Sequence, residues 1–196
     1  FTQDVMETSP RKLEILGARR FLADGRGFRY AMAASGGISA GKLAMAGLAV
    51  TQHVNLDAPA AEVGERVLCL TLGAAPAAEN AYEDGYLQVN AQAGQGHQYR
   101  ILSNSAGAAS GRMVLTLAEP LRAALEATSK VTLVASPWRG LAATDQEENL
   151  PVGVAACDVP AGHYFWSQTS GPALCLSADT AGPGSMLVPA ATAGAL

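Results

Sequence analysis

The chain has 196 residues, of which only 15% are charged, and a formal net charge of −4. A soluble domain usually carries about 25% charged residues, so this composition suits a protein that packs against neighbours. The acidic balance argues against a nucleic-acid partner, which normally meets a basic face, and the length allows one domain with a sizeable core.

The charge is uneven along the chain. Residues 1–30 hold six of the 13 basic residues (Arg11, Lys12, Arg19, Arg20, Arg26, Arg29) against four acids, which leaves the remainder at −6, and no Lys or Arg follows Arg139. Residues 1–22 therefore read as a basic N-terminal arm, and 23–196 as one β-rich domain with 151–196 as a candidate smaller lobe. On this reading Phe1 to Arg20 packs on an acidic neighbouring chain, and its removal leaves the β domain folded.

In chain order, Asp24-Gly25 opens a turn, and Phe28, Tyr30 and Met32 alternate with Arg29, Ala31 and Ala33 as in a half-buried strand. Ser35-Gly36-Gly37 breaks that strand before an extended return over Ile38 to Leu43. The run VLCLTL places Leu68, Leu70 and Leu72 on one side and Val67, Cys69 and Thr71 on the other. Further strands are predicted at Tyr86–Val89, Gln98–Leu102, Met113–Leu117 and Val131–Val134, joined by turns rich in Gly, Asn and Ser. Glu119–Thr128 is compatible with helix, but the alternation of Leu121, Ala123 and Leu125 and its close flanking strands favour an extended course. Pro137–Gly140 is a turn with an exposed-looking Trp138, Thr144–Asn149 an acidic loop, and short β segments follow Pro151. The apolar tail, Met186 to Leu196, is expected to dock on its own sheet or on a partner. The fold class expected is all-β: a sandwich or barrel of short antiparallel strands with at most two short helices.

Two catalytic patterns occur by spacing. Gly37-Ile38-Ser39-Ala40-Gly41 fits the G-x-S-x-G nucleophile elbow, but that motif needs a following helix and a partner His. Gly36 to Lys42 fits part of a phosphate-binding loop, with Leu43 standing where a hydroxyl should hold Mg²⁺. Both read as chance matches in a chain rich in Gly, Ala and Ser. His53, His97 and His163 lie 44 and 66 positions apart on different elements, without metal-ligand spacing. Glu147-Glu148 reads as a solvated charge run. Cys69, Cys157 and Cys175 lack CxxC spacing and sit in apolar surroundings, the pattern of reduced, buried thiols made in a cytosol. No signal-peptide core and no apolar run of 18 residues is found, so neither export nor a membrane helix is expected. No enzyme activity, cofactor or metal is expected.

The segments LGARRFLADGRGFRYA and ISAGKL resemble the opening of a family of small virion structural proteins of tailed bacteriophages. The resemblance continues through YEDGYLQVN, QYRILSNSA, LTLAEPLRAALEATSKVTLVASPWRG, PVGV and GHYFWSQTSGPA, and covers most of the chain. It implies a head decoration, or cement, protein made in the host cytoplasm. Such a protein coats the major capsid protein on the virion surface, often as a trimer. Under that reading the interface candidates are Arg11, Arg19, Arg20, Trp138, Tyr164 and Trp166, since interfaces favour aromatic and Arg anchors. A receptor- or glycan-binding β domain, with Trp138 stacking on sugar, is the alternative. An esterase using Ser39 comes third.

Overall fold

The computed structural model describes residues 2–143, 149–177, 182 and 194–195. Eleven strands are present among them: β1 Arg19–Phe21, β2 Gly27–Met32, β3 Leu43–Ala46, β4 Leu56–Asp57, β5 Val67–Thr71, β6 Tyr86–Ala91, β7 Gln98–Asn104, β8 Arg112–Leu117, β9 Lys130–Val134, β10 Leu150–Ala155 and β11 Tyr164–Ser170. The only helical element described is a single 3-10 turn at Thr51–His53. The all-β expectation holds.

The chain groups into two compact units, Phe1–Leu48 with Pro137–Leu196, and Ala49–Ser136. This differs from the arm and single β body drawn from the sequence. Unit 2 is an insertion between β3 and β10, and unit 1 is made from both ends of the chain.

Unit 2 carries a six-stranded antiparallel sheet in the order β4-β9-β6-β7-β8-β5. Its end strands β4 and β5 lie side by side without a ladder between them, so the sheet curls into a nearly closed barrel. Alternation builds the interior. Leu68 and Leu70 of β5, Leu87 and Val89 of β6, Tyr99 and Ile101 of β7, Met113, Leu115 and Leu117 of β8, and Val131 and Leu133 of β9 are all buried in one cluster. The ambiguous 119–128 segment forms no helix. Leu121 and Leu125 are buried, and their N–H groups donate to the carbonyls of Glu65 (2.8 Å) and Ala61 (2.8 Å). Pairing with residues 61–65 thus satisfies a backbone that a helix would otherwise have satisfied internally.

Unit 1 carries a five-stranded antiparallel sheet in the order β1-β2-β11-β10-β3. The sequence suggested a half-buried strand at 28–32, but β2 and β11 are buried on both faces. Phe28, Tyr30 and Trp166 belong to one cluster, and Ala31, Ala33, Ala44, Ala46 and Phe165 to the other. The first face is covered by the chain's own N-terminal segment, through Val5 and Leu16. The supposed arm is therefore part of this unit, and β1 is a strand of its sheet. Of the apolar tail, Gly194 and Ala195 are described: the Leu43 N–H donates to the Gly194 carbonyl (2.8 Å), and Ala195 is buried. The rest of Met186–Leu196, and Thr144–Glu148 of the acidic loop with Glu147 and Glu148, lie outside the described residues.

A buried polar pair joins the 3-10 turn to the barrel. The Tyr82 hydroxyl is hydrogen-bonded to His53 Nδ1, and His53 Nε2–H donates to the Ala75 carbonyl (2.9 Å), so both ring nitrogens are engaged. Burial pushes the Tyr82 phenol up to about 12 from its ordinary 10. Because the folded value lies above the unfolded one, the stability from protonated Tyr82 is complete below pH 10 and is lost as pH rises towards 12. At about 1.4 kcal/mol per unit this contribution is about 2–3 kcal/mol. Urea unfolding should therefore show the wild type more stable than Tyr82→Phe at pH 8, with the gap narrowing by that amount near pH 12. A constant gap across this range would contradict the assignment.

Candidate functional site

The elbow-like sequence around Ser39 lies between β2 and β3. Ile38 and Val159 exchange both backbone hydrogen bonds (2.9 and 2.8 Å), the Lys42 N–H donates to the Ser39 carbonyl (3.2 Å), and no helix follows. Gly37 has φ +66°, and a Cβ there would stand 2.6 Å from the Val159 carbonyl oxygen, so this glycine is required by the turn itself. Ser39 is exposed and lines a cleft of about 550 Å³ together with Lys42 and Asp158. The Asp158 carboxylate accepts the Ala40 N–H (2.8 Å), which fixes it to the turn.

No histidine lines the cleft. His53 and His97 belong to unit 2, with His53 buried against Tyr82 and His97 Nδ1 2.9 Å from the Gly94 carbonyl. His163 is in unit 1 and its Nδ1 lies 3.4 Å from Thr8 Oγ1. The serine therefore has no imidazole among the residues around it to take its proton. No group of His, Cys, Asp and Glu side chains among the described residues could hold a metal ion. The three cysteines are half-buried and unpaired. Burial raises the Cys157 and Cys175 thiols, and Asp158 raises Cys157 further, so both favour the unreactive thiol form.

The six interface candidates separate into two groups. Arg11 and Arg19 are exposed, and Arg19 lies on the edge strand β1. The other four belong to or cover the aromatic cluster of unit 1. Trp166 is 1% exposed and is a core residue, so it is not an anchor open to a partner. Its Nε1–H donates to the Gln3 carbonyl (3.2 Å), and the same oxygen accepts from Arg20 (2.5 Å), whose guanidinium lies 5.8 Å from the indole centroid. Tyr164 is half-buried and stacks on Tyr30 with centroids 5.9 Å apart. Trp138, expected to be exposed, is half-buried beneath Arg29, whose guanidinium sits 5.4 Å from its ring. Arg29 is itself held by the Gly17 carbonyl (2.8 Å), and a Cβ on Gly17 would stand 2.8 Å from the indole. This contact leaves Trp138 poorly placed to stack on a sugar.

Exposed apolar side chains lie elsewhere, in unit 1 at Phe21 (68%), Leu150 (62%) and Leu174 (79%), and on the barrel. On the outer face of β5 and β8, Val67 is 57% and Val114 44% exposed, with Cys69 directly across from Val114. Leu102, beside the register shift between β7 and β8, is 50% exposed. In the sequence the signal was the second face of VLCLTL, whose Val67 and Cys69 are apolar where a solvated face would be polar. No family model matches the chain, and no curated protein or solved structure matches it.

Residues 2–20 contribute Gln3, Val5 and Leu16 to the interior of unit 1. Removing them uncovers Phe28, Tyr30 and Trp166, and exposing a fully buried large apolar side chain costs about 1.5–3 kcal/mol. Deletion of residues 1–20 should therefore abolish the cooperative unfolding of unit 1, read as lost near-ultraviolet Trp dichroism and rapid proteolysis of that unit. A deletion variant retaining the native Trp signal would contradict this packing.

Proposed function

We propose that the chain is a non-catalytic virion protein of a tailed bacteriophage. In this reading it is a head decoration protein that seats on the outer surface of the capsid shell and stabilises it. The observation that carries the reading is the apolar row Val67–Cys69–Val114, with Leu102 near it, on the outer face of an otherwise well-packed barrel. Solvent-facing apolar side chains grouped on one sheet face suit adhesion to another protein. The low charge content and the resemblance of the chain to small phage structural proteins support the same role.

The physical logic is mass action. A protein that binds only the mature lattice stabilises it by RT ln(1 + [L]/Kd) at each site, and bridging adjacent capsomers adds the avidity of linked contacts. A homotrimer is the oligomer that matches the three-fold positions of an icosahedral lattice, since closed symmetry is the rule for soluble homo-oligomers. The esterase alternative has no support in the surroundings of Ser39.

The test is cosedimentation of the purified protein with mature heads stripped of it. Val67→Asp combined with Val114→Asp should lower the affinity by at least about tenfold, or ~1.4 kcal/mol, without changing the melting temperature. Because the contact is apolar, wild-type binding should persist in 0.5 M NaCl. Unchanged occupancy by the double variant would count against this surface, and absence of wild-type binding would count against the role.

A further inference from the structure

We propose that the outer face of β6, β7 and β9 in unit 2 is a binding site for a neutral oligosaccharide. This face is separate from the apolar row on β5 and β8, and the proposal does not depend on the capsid reading. Tyr86, Gln88 and Asn90 point outward from β6, opposite the buried Leu87 and Val89. The register sets Gln88 directly across from Gln98 on one side and Thr132 on the other, and Tyr86 across from Arg100 and Val134. Asn55, just before β4 and with φ +56°, adds a second carboxamide beside Asn90.

The side chains are already braced against one another. Gln88 Nε2 donates to Gln98 Oε1 (3.0 Å), and Asn90 Nδ2 donates to Asn55 Oδ1 (2.6 Å) and Thr132 Oγ1 (2.5 Å). Thr132 Oγ1 also accepts the Asn55 N–H (3.1 Å). Each amide spends one half of its capacity in these bonds. Gln88 Oε1, Gln98 Nε2, Asn90 Oδ1, Asn55 Nδ2 and the Tyr86 hydroxyl have no partner among the described residues. The result is a row of alternating acceptors and donors with fixed positions. A sugar hydroxyl is both donor and acceptor, and it pairs with a carboxamide on equal terms.

Charge argues for a neutral ligand. The two cations on this face are each matched: Arg100 with the buried Asp84 (3.3 Å), and Lys130 with Asp57. No unpaired positive charge remains on it to select a phosphate or an acidic sugar. Asn90 sits at the register shift between Val89 and Ala91 in the ladder of β6 with β9, and two side-chain bonds fix its carboxamide there. From Tyr86 to Asn90 the strand runs about 13 Å, long enough to bind more than one sugar ring, with the Tyr86 ring available for stacking at one end.

The experiment uses the labelled full-length protein on an array of neutral oligosaccharides, followed by calorimetric titration of whichever compound is retained. Binding should change less than twofold between 0.1 and 0.5 M NaCl. Gln88→Ala, Asn90→Ala and Tyr86→Ala should each weaken it at least tenfold, and so should the near-isosteric Asn90→Asp. Arg19→Ala, in unit 1, should leave it unchanged, and all variants should be checked for wild-type melting. A blank array overturns the proposal. So does a retained oligosaccharide whose affinity is indifferent to these substitutions, or one that salt displaces. Because no capsid is present, these outcomes do not bear on the decoration role.

Discussion

Gln3 holds the larger unit together. Its side chain is buried at 3% exposure and donates to the carbonyls of Glu7 (2.7 Å) and Tyr164 (3.1 Å) while accepting the Tyr30 hydroxyl (3.2 Å). Its main-chain carbonyl accepts from Trp166 and Arg20. Gln3 thus satisfies polar atoms on β2 and β11 and on Arg20 of β1. A buried polar group left unmatched costs about 1–3 kcal/mol, so this set of bonds ties the N-terminal segment to one position on the sheet. With the segment in place the aromatic face is closed, and Trp166, Tyr30 and Phe28 become core.

That constraint decides which surfaces can act. The aromatic residues that look most like interface anchors are consumed in closing unit 1, and the arginines among them are drawn in with them. Arg20 is shared between the Gln3 carbonyl and the Trp166 ring, and Arg29 between the Gly17 carbonyl and Trp138. On the barrel, alternation leaves the outward side chains free to differ. β5 and β8 use theirs for an apolar row, and β6 and β7 for amides. One barrel wall thus carries two chemically distinct outer surfaces.

Much of the fold was legible in the sequence because the barrel strands obey a two-residue period. Leu68, Leu70, Met113, Leu115 and Leu117 fall inside as their alternation requires. In the N-terminal segment charge dominates the sequence signal: Arg11, Lys12, Arg19 and Arg20 suggest a detachable arm, while the three residues that fix it, Gln3, Val5 and Leu16, form no periodic pattern. Their burial depends on a sheet in which nearby β2 pairs with β11, more than a hundred positions away. The insertion of unit 2 was hidden for the same reason, since β3 pairs with β10 across the entire barrel sequence. Of the candidate site residues, aromatic and arginine types suggest anchors, but type alone cannot say that Trp166 faces inward. The amide row was illegible because its members come from four separate segments and only the strand register sets them side by side.

The central functional claim is that this chain coats a phage head through its barrel. It is tested most directly by a reconstruction of the parent virion at a resolution that traces strands. The account places unit 2 against the capsid shell with β5 and β8 facing the major capsid protein, in three-fold arrangement. Density for the chain on the tail alone, or its absence from the particle, would contradict it.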